Sequence, residues 1–409
     1  MISFIREVHM VWRRQNRGWH VVVVWMIVTR FLRLFIEQYA SIYIRLLGAS
    51  PAQLGAVRST AGVAGMAISL PLGIAQDRYS LRRIYLVGIT LLTLMPFLFA
   101  IAPSWQWLIP AIVLMGLGLQ LGGCSVICDV SLSNRDRATG RAICEGFGAL
   151  PTLFAPALAA LFITWLGGID VGSIRTLYWF YFVIGTIPTL YAFFNLPEIT
   201  RSQQVFGKLR AWSELREVFK RGTALKRYVA FMSLSHFTRM MLITFVYPYA
   251  FEIGSATPLI LGGISTAMTL AEVLFSTVFG RLADRIGRKN VYYLLTPAFV
   301  ASNLLFIYTP TAFYLVAAGF LFGFRMIASV VHSSMAPELV PEQCIGRWRG
   351  IIGLMMGLAG MASSIAGGYI WEIYGAHHIF SVATIADVVI VLPLLYIIPE
   401  TLGTHINKT

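Results

Sequence analysis

Gly73-Ile74-Ala75-Gln76-Asp77-Arg78, followed by Arg82 and Arg83, returns 207 positions later as Gly280-Arg281-Leu282-Ala283-Asp284-Arg285, followed by Arg288 and Lys289. Gly73 with Gly280, Asp77 with Asp284 and Arg78 with Arg285 keep one register. Each copy lies between two long apolar stretches, where a charged segment reads as a short loop at a membrane surface. A helical bundle duplicated with matching loops is the layout of a secondary transporter. That layout puts the functional site between the halves, near mid-membrane.

Composition points the same way. Hydrophobic residues make up 57% of the 409-residue chain and charged residues only 12%, more apolar than a soluble domain of this size. A spanning helix needs about 20 apolar residues, and with short loops the chain holds about twelve. The expected spans are 19–47, 51–75, 83–102, 107–129, 139–166, 176–196, 227–252, 258–280, 290–309, 312–335, 345–371 and 377–398. The first is too long and too charged for a cleavable signal peptide. The predicted fold class is an all-α membrane protein with six-helix bundles at 19–196 and 227–398. A linker at 197–226 joins them, with a segment at 1–18 before them and a tail at 399–409 after.

Of the 32 Lys and Arg residues, 25 fall in segments that share a side with the N-terminus. Only Arg45 and Arg175 lie in the opposite loops, and Arg30, Arg33, Arg58, Arg239 and Arg325 lie inside spans. By the positive-inside rule both termini and the linker are cytoplasmic in a multi-pass protein of the cell membrane, with an even number of spans. The net charge of +14 is then an orientation signal and a contact for anionic headgroups, not a nucleic-acid surface. Leu209, Trp212, Leu215 and Phe219 recur at helical spacing among basic residues, so 204–221 reads as an interfacial helix. Phe4, Val8, Val11 and Trp12 give the first segment the same reading.

In these loops the chain resembles the major facilitator superfamily, over nearly its whole length. The family's signature between its second and third helices is Gly-x-x-x-Asp-Arg-x-x-Arg-Arg. The second copy here is the closer match, and the first departs at Tyr79 and Ser80. Pro197-Glu198 and Pro399-Glu400-Thr401 close the two halves, as in many members. The resemblance implies a cytoplasmic gate, holding that face shut in the outward-open state, at Gly73, Asp77, Arg78, Arg82, Gly280, Asp284, Arg285 and Arg288. The residue chemistry agrees: Gly lets helices approach closely, and Asp accepts from a helix N-terminus or an arginine.

A second repeat lies inside the membrane. Arg30-Phe31-Leu32-Arg33 in span 1 lines up with His236-Phe237-Thr238-Arg239 in span 7 at a shift of 206, with Tyr43 on Tyr249 and Gly48 on Gly254. Residues three apart share a helix face, so Arg30 joins Arg33 and His236 joins Arg239. A mid-membrane arginine facing lipid costs at least ~2.5–3.5 kcal/mol, which turns both pairs toward the cavity. With Arg58 and Arg325 the cations outnumber the well-placed acids, Glu37 and Glu272; Asp387 falls in span 12, peripheral in this family. An anionic substrate would balance the excess. Organophosphate and phosphate exchangers of the superfamily are similar, with one arginine on helix 1 and one on helix 7 flanking the anion; Arg33 and Arg239 match.

The expected substrate-binding set is thus Arg30, Arg33, Arg58, His236, Arg239 and Arg325, for a small organic or phosphorylated anion. Glu37 and Glu272 are the expected proton-coupling acids, since an arginine and a low-dielectric cavity pull a carboxyl pKa in opposite directions. A permanent Arg33–Glu37 pair is the alternative. The rival function is proton-coupled multidrug efflux, with Tyr39, Tyr43, Phe245 and Tyr247 holding amphiphiles. Ala155-Pro156-Ala157-Leu158-Ala159-Ala160 is similar to the family's antiporter motif, with alanines for its glycines. No enzymatic activity, cofactor or metal is expected: Cys124, Cys128, Cys144 and Cys344 read as small apolar residues. No Gly-Lys-Ser/Thr phosphate loop supports ATP-driven transport. His377-His378 reads as incidental, and the expected partners are the bilayer, the substrate and protons, for a monomer.

Overall fold

The computed structural model describes residues 15–122, 151–198, 223–308, 311–333, 335 and 345–399. The expected interfacial helices and the four cysteines lie outside these residues. The fold is all-helical, with a helix at each of the twelve expected positions. They are α1 (Arg17–Leu46), α2 (Pro51–Arg78), α3 (Leu81–Ile101), α4 (Leu108–Leu121), α5 (Ala155–Trp165), α6 (Val171–Asn195), α7 (Thr223–Glu252), α8 (Pro258–Ile286), α9 (Arg288–Tyr308), α10 (Ala312–Ser333), α11 (Ile345–Tyr374) and α12 (His377–Tyr396). Among the described residues, nine of these are long and apolar enough to cross a membrane by length and composition; α4 and α5 are shorter where they border undescribed residues. This is a multi-pass membrane protein.

The helices start and stop for local reasons. Ser50-Pro51-Ala52-Gln53 is a capping box for α2: Gln53 N–H donates to Ser50 Oγ (3.3 Å) and Ser50 N–H to Gln53 Oε1 (2.8 Å). Thr257 caps α8, accepting from Ile260 N–H. Gly287, at φ 98°, makes the turn between α8 and α9 that an L side chain resists.

The helices form two compact units. The first holds α1, residues 63–78 of α2, and α3 to α6; the second holds residues 49–62 and α7 to α12. The sequence placed all of span 2 in the first bundle. Its opening turns instead pack within the second unit because glycines there bring α2 and α11 backbones together. A Cβ on Gly55 would stand 2.1 Å from the Ser364 carbonyl oxygen, and one on Gly368 would stand 2.5 Å from that of Pro51. Above this crossing Glu372 accepts from Ser50 Oγ (2.9 Å) and Ala52 N–H (3.0 Å). Gly280, expected at a close approach, has no heavy atom of the described residues within 4 Å of a Cβ position.

Each unit repeats the same knot at one end of its helices. In the first, Tyr43 donates to the Phe99 carbonyl (3.0 Å), Arg175 Nε donates to the Tyr43 hydroxyl (3.2 Å), and Phe99 stacks on Tyr178. In the second, Tyr249 donates to the Phe306 carbonyl (2.8 Å), lies 2.7 Å from His377 Nδ1, and Phe306 stacks on Phe380. His377 is therefore not incidental; it occupies the place of Arg175. The last helix pair, α6 and α12, repeats at a shift of 202 rather than 207.

The opposite ends are tied within each unit as well. Arg82 Nη2 donates to the Phe193 carbonyl (3.0 Å) and Lys289 Nζ to those of Tyr396 and Ile398 (2.9 and 2.7 Å). Both cations satisfy carbonyls left open at a helix C-terminus. Glu198 accepts from Ser80 Oγ (2.6 Å) and Arg82 Nη1 (3.3 Å), which holds its carboxyl below the usual range, the Ser80 bond contributing most. A depressed acid contributes stability above its unfolded pKa and loses it as pH falls through the folded value. The melting temperature of wild type should therefore fall more steeply than that of Glu198→Gln as pH drops below the ordinary carboxylate range. Parallel melting curves for the two proteins would show that this tie holds nothing.

Candidate functional site

α1 carries Arg30, Arg33 and Glu37 in its central turns. Arg33 stands about 24 Å from Arg17 and about 20 Å from Leu46 along the axis, the middle of the helix. Its side chain is exposed, while Arg30 and Glu37 are half-buried. Tyr181 of α6 lies within electrostatic reach of Arg33 and Glu37. Gln38 points elsewhere: its Nε2 donates to the Pro156 carbonyl (3.0 Å), so the Ala155–Ala160 stretch is packed against α1.

α7 repeats the pattern in the second unit. Arg239 Nη2 donates to His236 Nδ1 at 2.8 Å, and both side chains are half-buried. Guanidinium has no acceptor, so the imidazole offers a lone pair there and no charge to neutralise the arginine. Glu272 of α8 and Arg325 of α10 lie within electrostatic reach of Arg239. α11 closes over the imidazole, since a Cβ on Gly360 would stand 3.5 Å from His236 Nε2. Arg58, half-buried on α2, belongs to this second unit too.

Arg325 corrects the charge count. It is 4% exposed, and Asp387, set aside by the sequence as peripheral, is 1% exposed. Arg325 Nη1 donates to Asp387 Oδ2 (2.5 Å) and Nη2 to Oδ1 (3.2 Å). Nη2 also donates to Thr238 Oγ1 (2.5 Å), whose own hydroxyl donates to Asp387 Oδ1 (2.7 Å). The guanidinium lies 5.1 Å from the Phe299 ring centre. A bidentate, fully desolvated pair of this kind neutralises both charges where they sit. Arg325 is thus matched by a carboxylate inside its own unit and does not add to the excess of positive charge. Asp387 opens a π-helical turn over Asp387–Val391, and Pro393 just beyond it has no N–H for the helical ladder.

Sequence reasoning missed Asp387 and Thr238. The signal was present in Asp387 alone: an acid ten residues into the apolar α12 stands for a function or a partner by default. Of the gate residues, Arg82 bonds inside the first unit, as described. Asp284 is largely exposed and lies 3.9 Å from Arg288 of its own loop, and Arg285 is exposed. Gly73, Asp77 and Arg78 fall in the last turns of α2, with side chains outside those described.

Two units of long apolar helices, each with ionisable residues at mid-helix, define a secondary transporter rather than an enzyme. The chain belongs to the Major Facilitator Superfamily, whose profile matches residues 24–256 and 229–408. It is 26% identical over 146 residues to the class B tetracycline resistance protein of Escherichia coli, spanning 36% of that protein's length and 36% of its own. Among solved structures it superposes on the nucleoside transporter NupG with a TM-score of 0.74, at 19% identity over 93% of this chain and 99% of that one. A point mutant of NupG gives 0.78 at 17% identity, over the same shares of the two chains. A bacterial homologue of the human lysosomal transporter Spinster, inward-facing and unoccupied, gives 0.70 at 15% identity, over 94% and 97%.

Proposed function

We propose that the protein moves a small organic or phosphorylated anion across the cell membrane by alternating access. The observation that carries this reading is the pairing of Arg239 with a neutral imidazole nitrogen at mid-helix, in a unit where Arg325 has a carboxylate of its own. A guanidinium held that way keeps its charge and part of its fork for a ligand. Arg33, exposed at the equivalent place on α1, is its counterpart. Asp77 and Asp284 act in the cytoplasmic gate, and both termini are cytoplasmic. The test is a thermal-shift series on purified protein, because a ligand that binds the native state raises its melting point by mass action. Stabilisation by organic and phosphorylated anions supports the reading; stabilisation by lipophilic cations alone sinks it. The second reading, export of amphiphilic drugs, is favoured by the similarity to the tetracycline resistance protein.

Glu37 and Glu272 are the proposed coupling acids, each within electrostatic reach of a group in its own unit's site: Glu37 of Tyr181, Glu272 of Arg239. A neutral amide cannot load and release a proton. Glu37→Gln or Glu272→Gln should therefore abolish pH-driven accumulation in proteoliposomes while downhill exchange continues. Normal pH-driven uptake in both variants would remove proton coupling from these two residues.

A further inference from the structure

The pseudo-symmetry that duplicates the knots also pairs the residues around the buried arginine. At the shifts already established, Leu32 corresponds to Thr238, Leu92 to Phe299, Gly118 to Arg325 and Gly185 to Asp387. The correspondence is one of contacts as well as numbers. A Cβ on Gly118 would stand 2.7 Å from Leu92 Cγ, and one on Gly185 would stand 3.6 Å from Leu32 Cδ1. In the second unit Arg325 lies over Phe299 and Asp387 bonds Thr238. The first unit thus makes the same helix contacts with leucines against glycines, and without charge.

Helix packing at this place therefore does not need an ion pair. Burying one is expensive, and apolar residues of similar volume generally serve stability as well or better. What the charged version adds is direction. Leucine against glycine fixes distance but tolerates rotation, whereas Arg325 and Asp387 hold the Thr238 hydroxyl by two directed bonds, at 2.5 and 2.7 Å. Thr238 immediately precedes Arg239, so the backbone that aims the Arg239 side chain is clamped from α10 and α12 together. Asp387 also opens the π-helical turn of α12.

We infer that Arg325, Asp387 and Thr238 are positioning residues that set the direction of Arg239 in the second unit, a task that Leu32, Gly118 and Gly185, at the equivalent positions of the first unit, cannot perform for Arg33. The clamp deepens the anion reading, on which its effect on ligand affinity rests, but its mechanical part can be measured without a ligand.

The test uses the full chain purified in detergent. The double variant Arg325→Met/Asp387→Leu removes both charges, leaves neither one stranded, and keeps comparable volume. Thr238→Val removes only the hydroxyl, and Thr238→Ser restores it. Besides the melting temperature, two readouts are taken for each: the dissociation constant for inorganic phosphate, and the rate at which a cysteine at position 239 (Arg239→Cys in each background) reacts with a small charged methanethiosulfonate. The expected result is a melting temperature at or above wild type for the double variant, phosphate binding weaker by about tenfold, and a labelling rate altered by about tenfold. Thr238→Val should follow the double variant in both readouts, and Thr238→Ser should follow wild type. An unchanged labelling rate at position 239 in both the double variant and Thr238→Val overturns the clamp, whatever phosphate does. If wild type fails to bind phosphate or other anions while the labelling rate responds as expected, the anion reading fails and the clamp stands. Should the double variant not fold, the Thr238→Val and Thr238→Ser pair decides by the same labelling criterion.

Discussion

Replacing Arg33 or Arg239 by glutamine should each weaken anion binding, by about 2–5 kcal/mol where the bound anion desolvates the contact. Both residues stand at the middle of their helices and occupy equivalent places in the duplication. Lysine should rescue only part of the loss, because a point charge cannot reproduce the planar fork that matches a carboxylate or a phosphate. Arg325→Gln is the instructive contrast. It should cost folding stability, because it leaves Asp387 buried without its cation, more than it costs direct ligand contact. Isothermal titration with the single and double variants measures all of this. Equal anion binding by wild type and the Arg33→Gln/Arg239→Gln double variant would discard the anion site, and preserved binding of lipophilic cations would install the drug-export reading.

Valine at Gly88 or Gly323 should be as damaging to folding as the arginine changes are to binding. A Cβ on Gly88 would stand 2.2 Å from the Gly122 backbone nitrogen and 2.6 Å from the Leu121 carbonyl carbon, across the α3–α4 contact. On Gly323 it would stand 2.6 Å from the Met268 carbonyl oxygen and from Ala271 Cβ, across the α8–α10 contact. The obstacles are mostly main-chain atoms of a neighbouring helix, which cannot rotate away as a long side chain does. Overpacking of this kind costs about 1–3 kcal/mol and, against main-chain atoms, more. Without a hydrophobic drive between helices in lipid, close backbone approach is a large share of what holds them together. Gly353→Ala is the control: no described heavy atom lies within 4 Å of that Cβ position, and alanine favours the helix by roughly 0.5–1 kcal/mol. Monodisperse yield and melting temperature separate the outcomes. Folding of Gly88→Val or Gly323→Val at the wild-type temperature would mean that these helices are free to move apart.

The sequence by itself determined the helix count, the duplication and the family resemblance. Charged loops such as Gly280–Lys289 interrupt apolar runs and so mark register, and a mid-helix arginine such as Arg33 or Arg239 stands out against its surroundings for the same reason. The shift of 202 in α6 and α12 was invisible because exposed apolar residues such as Val183, Ile187, Val389 and Ile390 are interchangeable on a lipid-facing surface and record no register. Only the tertiary structure decided which acid answers which arginine. Asp387 lies 62 positions from Arg325, and their meeting depends on how α10 and α12 are rotated about their axes. The same holds for the opening turns of α2, whose glycines were legible as small residues. That Gly55 meets the backbone at Ser364, in the second unit and not the first, is a matter of which helix packs against it, and hydropathy periodicity along one strand of sequence carries no information about that choice.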